Sequence, residues 1–139
     1  MPDGTEGVPR RETIDEMLGR ARAGLTRVTA PQAHGAVAAG ALLVDIRTES
    51  QRERDGAVPG AAHFPRNVLE WRADPTSPAH DPRFGDFERR VIVMCHEGYQ
   101  SSLVAATLQR LGFGGATDLI GGYQAWRAAR LPIESCGGE

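Results

Sequence analysis

The chain has 139 residues, a formal net charge of −2 and 40% hydrophobic residues. That length suffices for one domain with a hydrophobic core, and the small net charge gives no electrostatic basis for binding nucleic acid or a membrane surface. No apolar run approaches the ~20 residues that span a bilayer, and the amino terminus lacks the apolar core of a signal peptide. We therefore expect a cytoplasmic protein with neither nucleic acid nor a membrane among its partners.

The first residues predict a disordered segment followed by a helix. Residues 1–10 contain two prolines, two glycines and no hydrophobic periodicity, which favours disorder. Residues 11–26 place apolar side chains at helical spacing, and Thr13 with Glu16 forms the pattern of a capping box. We expect this helix to pack on the domain that follows. Pairing between two chains is the alternative, so the oligomeric state stays open.

Residues 27–133 alternate between apolar runs and helical patterns. The runs ALLVDI, VIVM and ATDLI are typical of buried strands, and AAHFP is a weaker one. Helical patterns lie around them, in PQAHGAVAAG, TESQRERDG, NVLEW, SSLVAATLQRLG and GYQAWRAAR. Residues 74–83, with three prolines, indicate a loop. The alternation predicts an α/β domain with a parallel sheet, and residues 134–139 predict a flexible tail.

The stretch VIVMCHEGYQSS places Cys95 directly after a buried strand and before a tight turn. Binding sites of parallel sheets lie beyond the carboxyl ends of the strands. Gly98 permits the positive φ of such a turn, and Ser101 or Ser102 is suited to cap the next helix. Loop N–H groups and a helix amino terminus together bind an anion and favour a thiolate. We therefore predict that Cys95 is a nucleophile; a buried cysteine that only packs is the alternative.

Four stretches of the chain, in the same order, resemble the rhodanese family. CHEGYQSS is similar to its active-site loop, Cys-x-x-Gly-x-Arg/Thr-Ser, and LLVDIR, DGAVPGAAHFP and DLIGGYQAWRAARLPI are similar to its other motifs. The resemblance covers about residues 28–133. It implies a three-layer rhodanese-like α/β fold with a five-stranded, mainly parallel sheet and helices on both faces.

The resemblance also implies a sulfurtransferase. Cys95 would take sulfane sulfur from a donor, hold it as a persulfide and pass it to a thiol or another nucleophile. The loop that binds the sulfur would consist of His96, Glu97, Gly98, Tyr99, Gln100 and Ser101. The partners would be a small sulfur donor and a thiol acceptor, with a partner protein as a further candidate, and no cofactor is implied.

The loop departs from the family pattern in its charge. Gln100 stands where thiosulfate-using relatives commonly have arginine, Glu97 adds a negative charge, and His96 adds a positive one only when protonated. Because a like charge disfavours a dianion, we expect a low-molecular-weight or protein persulfide to be a better donor than thiosulfate. A rhodanese-fold binding or regulatory module with weak catalysis is the alternative function.

Three residues outside the loop are candidates for supporting it. Asp45 and Arg47 follow a strand, and the resemblance implies that they brace neighbouring loops through hydrogen bonds and ion pairs; lining the site is the alternative. Arg66 either offsets the charge of Glu97 or is an ordinary surface arginine. A phosphatase on a related fold would need an arginine six residues after Cys95, where Ser101 stands, so phosphate-ester chemistry is excluded.

The second cysteine, Cys136, lies in the predicted tail. It is either a resolving thiol that forms a disulfide with Cys95 or an exposed thiol without a role. With His96, the two cysteines make a poor zinc set, because zinc sites use more closely paired ligands. We predict no metal site.

Overall fold

The computed structural model describes residues 10–136, so all but the last residue of the predicted disordered segment lie outside the described part. Four strands form one parallel sheet in the order β2-β1-β3-β4. They are β1 (Leu42–Asp45), β2 (Ala62–His63), β3 (Val91–Met94) and β4 (Thr117–Asp118). The parallel α/β architecture predicted from the sequence is confirmed.

Six α-helices accompany this sheet within residues 10–136. They are α1 (Ile14–Ala23), α2 (Ala30–Ala38), α3 (Glu49–Asp55), α4 (Leu69–Ala73), α5 (Gln100–Arg110) and α6 (Gly122–Ala128). Two short 3₁₀ turns, Arg66–Val68 and Pro82–Phe84, lie in the connections. None of the helices in the described residues has the length and apolar character that crossing a membrane requires.

The sheet separates two hydrophobic cores. Because successive side chains of a strand point to opposite faces, Val44 and Val93 enter one core while Leu43 and Ile92 enter the other. The first core is closed by α4 and α5, and the second by α2 and α6. Both central strands, β1 and β3, are buried along their whole length. These features give the predicted three layers.

The fifth strand that the family resemblance implies is not formed within the described residues, and a single pairing lies next to the end of β4 instead. Val28 forms a parallel bridge with Leu119, with its N–H on the Asp118 carbonyl at 3.1 Å and its carbonyl accepting from the Ile120 N–H at 2.8 Å. Directly afterwards, Thr29 caps α2. The segment therefore has no room for a second paired residue, and the described sheet has four strands instead of five.

The amino-terminal helix α1 lies against α5 of its own chain. It begins with the capping box that the sequence predicts, in which Thr13 accepts from the Glu16 N–H and the Glu16 side chain accepts from the Thr13 N–H. None of its residues is fully buried, and Ile14 is 63% exposed. Its attachment to the domain therefore depends strongly on polar contacts, of which those of Arg22 are the most important for the site.

The carboxyl-terminal segment is paired with the domain at Glu134, the first residue of the predicted tail. Glu134 and Ala57 exchange backbone hydrogen bonds of 2.8 and 2.9 Å. Trp126 donates its indole N–H to the Pro132 carbonyl at 2.8 Å, so the chain up to Glu134 is tied to α6 and α3. Residues 137–139 lie outside the described residues.

The register of the sheet places three connections at one edge. Asp45 of β1 is paired with Met94 of β3, and Val93 with Asp118 of β4. The strands are parallel, so the residues that follow them emerge together. Cys95 therefore lies between the loop after β1 and the loop after β4.

Candidate active site

Cys95 lies in a pocket at the carboxyl edge of the sheet. It is only 7% exposed. The pocket has a volume of about 700 Å³ and is formed by the loops that follow β1, β2 and β3. The predicted site residues that line it are Arg47, Arg66, Cys95, His96, Glu97, Tyr99 and Gln100. Asp45, Gly98, Ser101 and Cys136 do not line it.

Gly98 shapes the loop around the sulfur atom. Its N–H donates to the Cys95 Sγ at 3.1 Å, and its φ is +92°. A Cβ on this residue would lie 2.7 Å from the backbone nitrogen of Gly121. Since both the conformation and the contact exclude a side chain, the glycine predicted to allow the turn is required there.

The start of α6 supports the loop from the other side. Gly122 has a φ of +60°, and a Cβ there would lie 2.4 Å from the Cys95 carbonyl oxygen. That close approach allows the Tyr123 N–H to donate to the Cys95 carbonyl at 2.8 Å and the Gln124 N–H to the His96 carbonyl at 3.2 Å. In a trans peptide the N–H points away from the carbonyl, so the N–H groups of His96 and Glu97 are directed away from α6.

His96 is held by a fixed chain of hydrogen bonds. Arg127 donates to the Gln124 Oε1 at 2.6 Å, which turns the amide nitrogen of Gln124 toward the His96 Nε2 at 2.7 Å. The other ring nitrogen, Nδ1, is buried and has no hydrogen-bond partner among the described residues. This chain of hydrogen bonds fixes the orientation of the His96 ring at the pocket.

Asp45 and Arg47 form the brace that the sequence predicts. Arg47 donates to the two carboxylate oxygens of Asp45 at 3.1 and 2.9 Å and to the Gly56 carbonyl at 2.8 Å. Both side chains are completely buried. The guanidinium also lies 3.8 Å from the centre of the Tyr123 ring. This buried ion pair fixes the loop after β1 to α3 and α6, while the Arg47 Nη1 has no hydrogen-bond partner among the described residues.

The phenol of Tyr123 completes this brace. Its hydroxyl donates to the Asp55 carbonyl at 2.6 Å. Burial raises the pKa of Tyr123, although the charge of Arg47 acts in the opposite direction. The phenol therefore stays protonated as a hydrogen-bond donor over the physiological range, and Tyr123 belongs to the second core.

The rim of the pocket carries little net positive charge. Arg66 is paired with Glu70 at 3.2 Å, and no ion pair with Glu97 is formed among the described residues. Glu49 and Glu97 are exposed at the rim, and Gln100 is neutral. Arg47 also lines the pocket, and its partner Asp45 pairs in addition with Arg52 at 3.2 Å.

The serines after the loop do not cap α5 as predicted. The helix begins at Gln100, and its N-cap residue, Tyr99, forms no side-chain cap. Ser101 and Ser102 instead both donate to the Asp118 Oδ2 at 2.7 Å. They do so because Asp118 is fully buried at the end of β4 and needs donors. The Ser101 hydroxyl thus lies on the side opposite to the pocket, and only its N–H remains for the loop.

Two arginines that the sequence analysis missed contact the loop. The Gly98 carbonyl accepts from Arg22 at 2.8 Å and from Arg27 at 3.1 Å. Arg27 also forms a bidentate pair with Asp118 at 2.9 and 3.2 Å. Arg22 lies in the last turn of α1, and its interaction with the helix dipole is by itself a sufficient reason for an arginine at that position. No local pattern therefore marks either residue as part of the site.

Cys136 and Cys95 are not brought together. Cys136 lines a different pocket, formed by the end of α3 and residues 133–136. The structure thus gives no geometric support for a disulfide between the two cysteines. Within residues 10–136, no three His, Cys, Asp or Glu side chains are grouped in a way that would hold a metal ion.

Comparison with known sequences identifies the family. The profile described as the rhodanese-like domain matches residues 29–129. The thiosulfate sulfurtransferase GlpE of Haemophilus influenzae is 31% identical over 109 residues, covering 78% of this chain and 93% of that protein. A sulfurtransferase of Allochromatium vinosum is 33% identical over 92 residues, covering 66% of this chain and 77% of that protein.

Two solved structures share the fold. A protein of unknown function from Rhodopseudomonas palustris, described as a possible tyrosine phosphatase, has a TM-score of 0.83 and 34% identity, covering 96% of this chain and 99% of that chain. The Alr3790 protein of Anabaena has a TM-score of 0.63 and 25% identity, covering 78% and 91%. The fold class and enzyme class predicted from the sequence are confirmed. Since the profile match spans most of the chain, this protein belongs to the rhodanese-like domain family.

Proposed function

We propose that this protein carries sulfane sulfur as a persulfide on Cys95 and transfers it to a thiol. One observation supports this most directly. Cys95 lies in the pocket, and the Gly98 N–H donates a hydrogen bond to its Sγ at an N···S distance of 3.1 Å. A backbone donor on the sulfur stabilises a thiolate and, after sulfur transfer, the anionic persulfide. The sulfurtransferases among the relatives support the same reaction class.

The cycle consists of two sulfur transfers. The Cys95 thiolate attacks the outer sulfur of a donor persulfide; a new S–S bond forms to Cys95, the S–S bond of the donor breaks, and the donor leaves as a thiolate. The acceptor thiolate then attacks the outer sulfur on Cys95, which takes the sulfur away and restores the Cys95 thiolate. One S–S bond forms and one breaks in each step, so no external oxidant or reductant is needed.

The charge of the pocket supports a persulfide in preference to thiosulfate as donor. Thiosulfate is a dianion, and Glu49 and Glu97 at the rim disfavour its approach. Among the described residues, the two arginines that line the pocket, Arg47 and Arg66, are both paired with carboxylates. A small thiol persulfide or a protein persulfide carries less charge to the site.

Intact mass spectrometry tests this proposal. The reduced protein is mixed with a small-molecule persulfide and, separately, with thiosulfate, and peptide mapping then locates any gained sulfur atom. We expect Cys95 to gain one sulfur atom, faster from the persulfide than from thiosulfate. In Cys95→Ser, we expect no sulfur gain at position 95. Absence of any gain at Cys95 from both donors would instead favour a binding or regulatory module.

A phosphatase activity, named for the Rhodopseudomonas palustris neighbour, is the less favourable alternative. Ser101 occupies the position of the arginine that would clamp a phosphate, and its hydroxyl is on Asp118. Arg22 and Arg27 do not line the pocket. We therefore expect no hydrolysis of an aryl phosphate above the level of Cys95→Ser.

A further inference from the structure

The Gly98 carbonyl accepts hydrogen bonds from two charged side chains. Arg22, in α1, donates from its Nη2 at 2.8 Å, and Arg27 donates from its Nη2 at 3.1 Å. Both residues precede the family match, which begins at residue 29. Two guanidinium groups from outside the matched domain therefore meet on one peptide of the active-site loop.

That peptide directs a donor toward the pocket. Its N–H belongs to Tyr99, and in a trans peptide the N–H points opposite to the carbonyl. Arg22 and Arg27 do not line the pocket, whereas Tyr99 does. No hydrogen bond among residues 10–136 uses the N–H of Tyr99, Gln100 or Ser101. Fixing the Gly98 carbonyl thus holds the Tyr99 N–H on the side where the sulfur lies.

The two arginines differ in their remaining charge. Arg27 is neutralised by its bidentate pair with the buried Asp118. Arg22 has no carboxylate partner among the described residues; it bonds to the Ser102 hydroxyl at 3.0 Å and lies 5.7 Å from the centre of the Tyr99 ring. Its charge therefore acts on the loop uncompensated, and a charged donor polarises the peptide it holds.

We propose that Arg22 and Arg27 are positioning residues of the sulfur site. Arg22 lies behind the loop and supplies the positive charge that Gln100, at the pocket rim, does not carry. This rests on the proposed function in one respect: the anion they support is the thiolate or persulfide of Cys95. They act through the Gly98–Tyr99 peptide and do not touch the substrate. The helix α1 is by this argument part of the active site.

The test compares two alkylating reagents of similar size. Iodoacetate is an anion and iodoacetamide is neutral, so the ratio of their rate constants at Cys95 reports the electrostatic field of the loop. Peptide mass spectrometry separates Cys95 from Cys136. We expect the iodoacetate-to-iodoacetamide ratio to fall about fivefold in Arg22→Gln, as removal of one charge from a partly screened site predicts.

Three further variants make the result specific. Arg20→Gln removes the same charge from an exposed position of α1 and should leave the ratio unchanged. Arg22→Lys keeps the charge and should keep most of the ratio. Arg22→Met keeps the apolar stem of the side chain and should behave as Arg22→Gln does, which guards against a packing effect.

An iodoacetate-to-iodoacetamide ratio that is equal in Arg22→Gln and Arg20→Gln would overturn the inference. A decrease of this ratio in Arg22→Lys as large as that in Arg22→Gln would overturn it as well. Thermal unfolding of each variant establishes that the domain is folded, and α1, which has no buried residue, is a favourable place for such changes. The ratio does not require sulfur transfer. A wild type that forms no persulfide but shows the Arg22 dependence would refute the proposed function and leave the anion-supporting role in place.

Discussion

Gly122 shows how one residue without a side chain determines the position of the nucleophile. Its hydrogen atom lies where a Cβ would approach the Cys95 carbonyl to 2.4 Å, so α6 reaches the loop closely enough to bind two of its carbonyls. The Gly121–Gly122 pair was recognisable in the sequence only as part of a family motif. Its contact with Cys95 joins residues far apart in the chain, and no local pattern predicts such a contact.

Gln100 is the residue at which donor choice is most open to change. Gln100→Arg places a positive charge at the rim of the pocket, which should lower the KM for thiosulfate by about fivefold. Steady-state sulfur transfer from thiosulfate measures this effect. Gln100→Met, neutral and of similar length, is the matched control and should leave the KM for thiosulfate near that of the wild type. An unchanged KM in Gln100→Arg would contradict the electrostatic account of donor choice.

The roles of individual side chains could be predicted only where the partner is near in sequence. Asp45 and Arg47 are two residues apart, and their pairing was expected and is found. The sequence predicts that Ser101 belongs to the sulfur-binding loop and is suited to cap α5. Its hydroxyl instead donates to the carboxylate of Asp118, 17 residues away in sequence. The buried carboxylate competes more strongly for a donor than the helix end does, and its position depends on the sheet.

The connection between α4 and β3 depends on Asp81. This residue is 8% exposed, accepts from the Arg83 side chain at 2.9 and 3.0 Å and pairs with Arg72 at 3.2 Å. Arg83 lies 4.7 Å from the centre of the Phe64 ring, next to the loop that follows β2 and lines the pocket. Asp81 thus ties the end of this proline-rich segment to Arg72 of α4.

Asp81 should make stability depend on pH in the acid range. Hydrogen bonds from the Arg83 side chain lower the pKa of Asp81 from 3.8 to about 2, although burial acts in the opposite direction. A lowered pKa in the folded state stabilises the fold above about pH 4, and this contribution is lost as the pH falls toward about 2. Urea unfolding at about pH 6 should therefore show Asp81→Asn less stable than the wild type.

At about pH 3 the difference in free energy of unfolding between the two proteins should be smaller. Asp86→Asn, an exposed aspartate in the same connection, is the control and should show a weaker pH dependence. A difference between Asp81→Asn and the wild type that is the same at both pH values would contradict the assignment to this carboxylate.

Helix limits were predicted well where a polar cap is present. The capping box of Thr13 is found, and Gly56 ends α3 with a φ of +87°. The start of α5 was placed too late, because the cysteine loop continues into the helix without a side-chain cap. In that case tertiary contacts of the loop decide where the helix begins, and capping patterns carry no information.

The distribution of burial divides the chain into regions of unequal stability. Strands β1 and β3 are buried at every position, whereas α1 has no buried residue. Regions with few buried apolar contacts open at lower free energy than the core. We expect amide hydrogens of α1 to exchange with deuterium at least about tenfold faster than those of β1 and β3.

Hydrogen–deuterium exchange with peptide-level mass spectrometry measures these rates. Helix α5, which shares the first core with the sheet, is the internal comparison and should exchange more slowly than α1. Protection of α1 equal to that of β3 would contradict the ordering and indicate a tighter attachment of this helix than its contacts provide.

The arrangement of strands and helices could be predicted from the alternation of apolar runs, because buried parallel strands leave a clear signal. The single pairing of Val28 with Leu119 could not be predicted from the sequence, because one paired residue gives no hydrophobic periodicity. The contribution of α1 to the loop was also missed. Its arginines look the same in sequence as those of any exposed helix.

The hydrogen bonds from Arg22 and Arg27 to Gly98 have a consequence for how such domains are exchanged between proteins. The start of the family match, at residue 29, falls between these arginines and the loop they hold. A recombination event at that boundary would move Cys95 and the whole pocket lining into a new host, yet leave both guanidinium groups behind. A protein could then inherit the domain without the reactivity of its cysteine. Where that reactivity is retained, we expect the helix that precedes the domain to be inherited together with it.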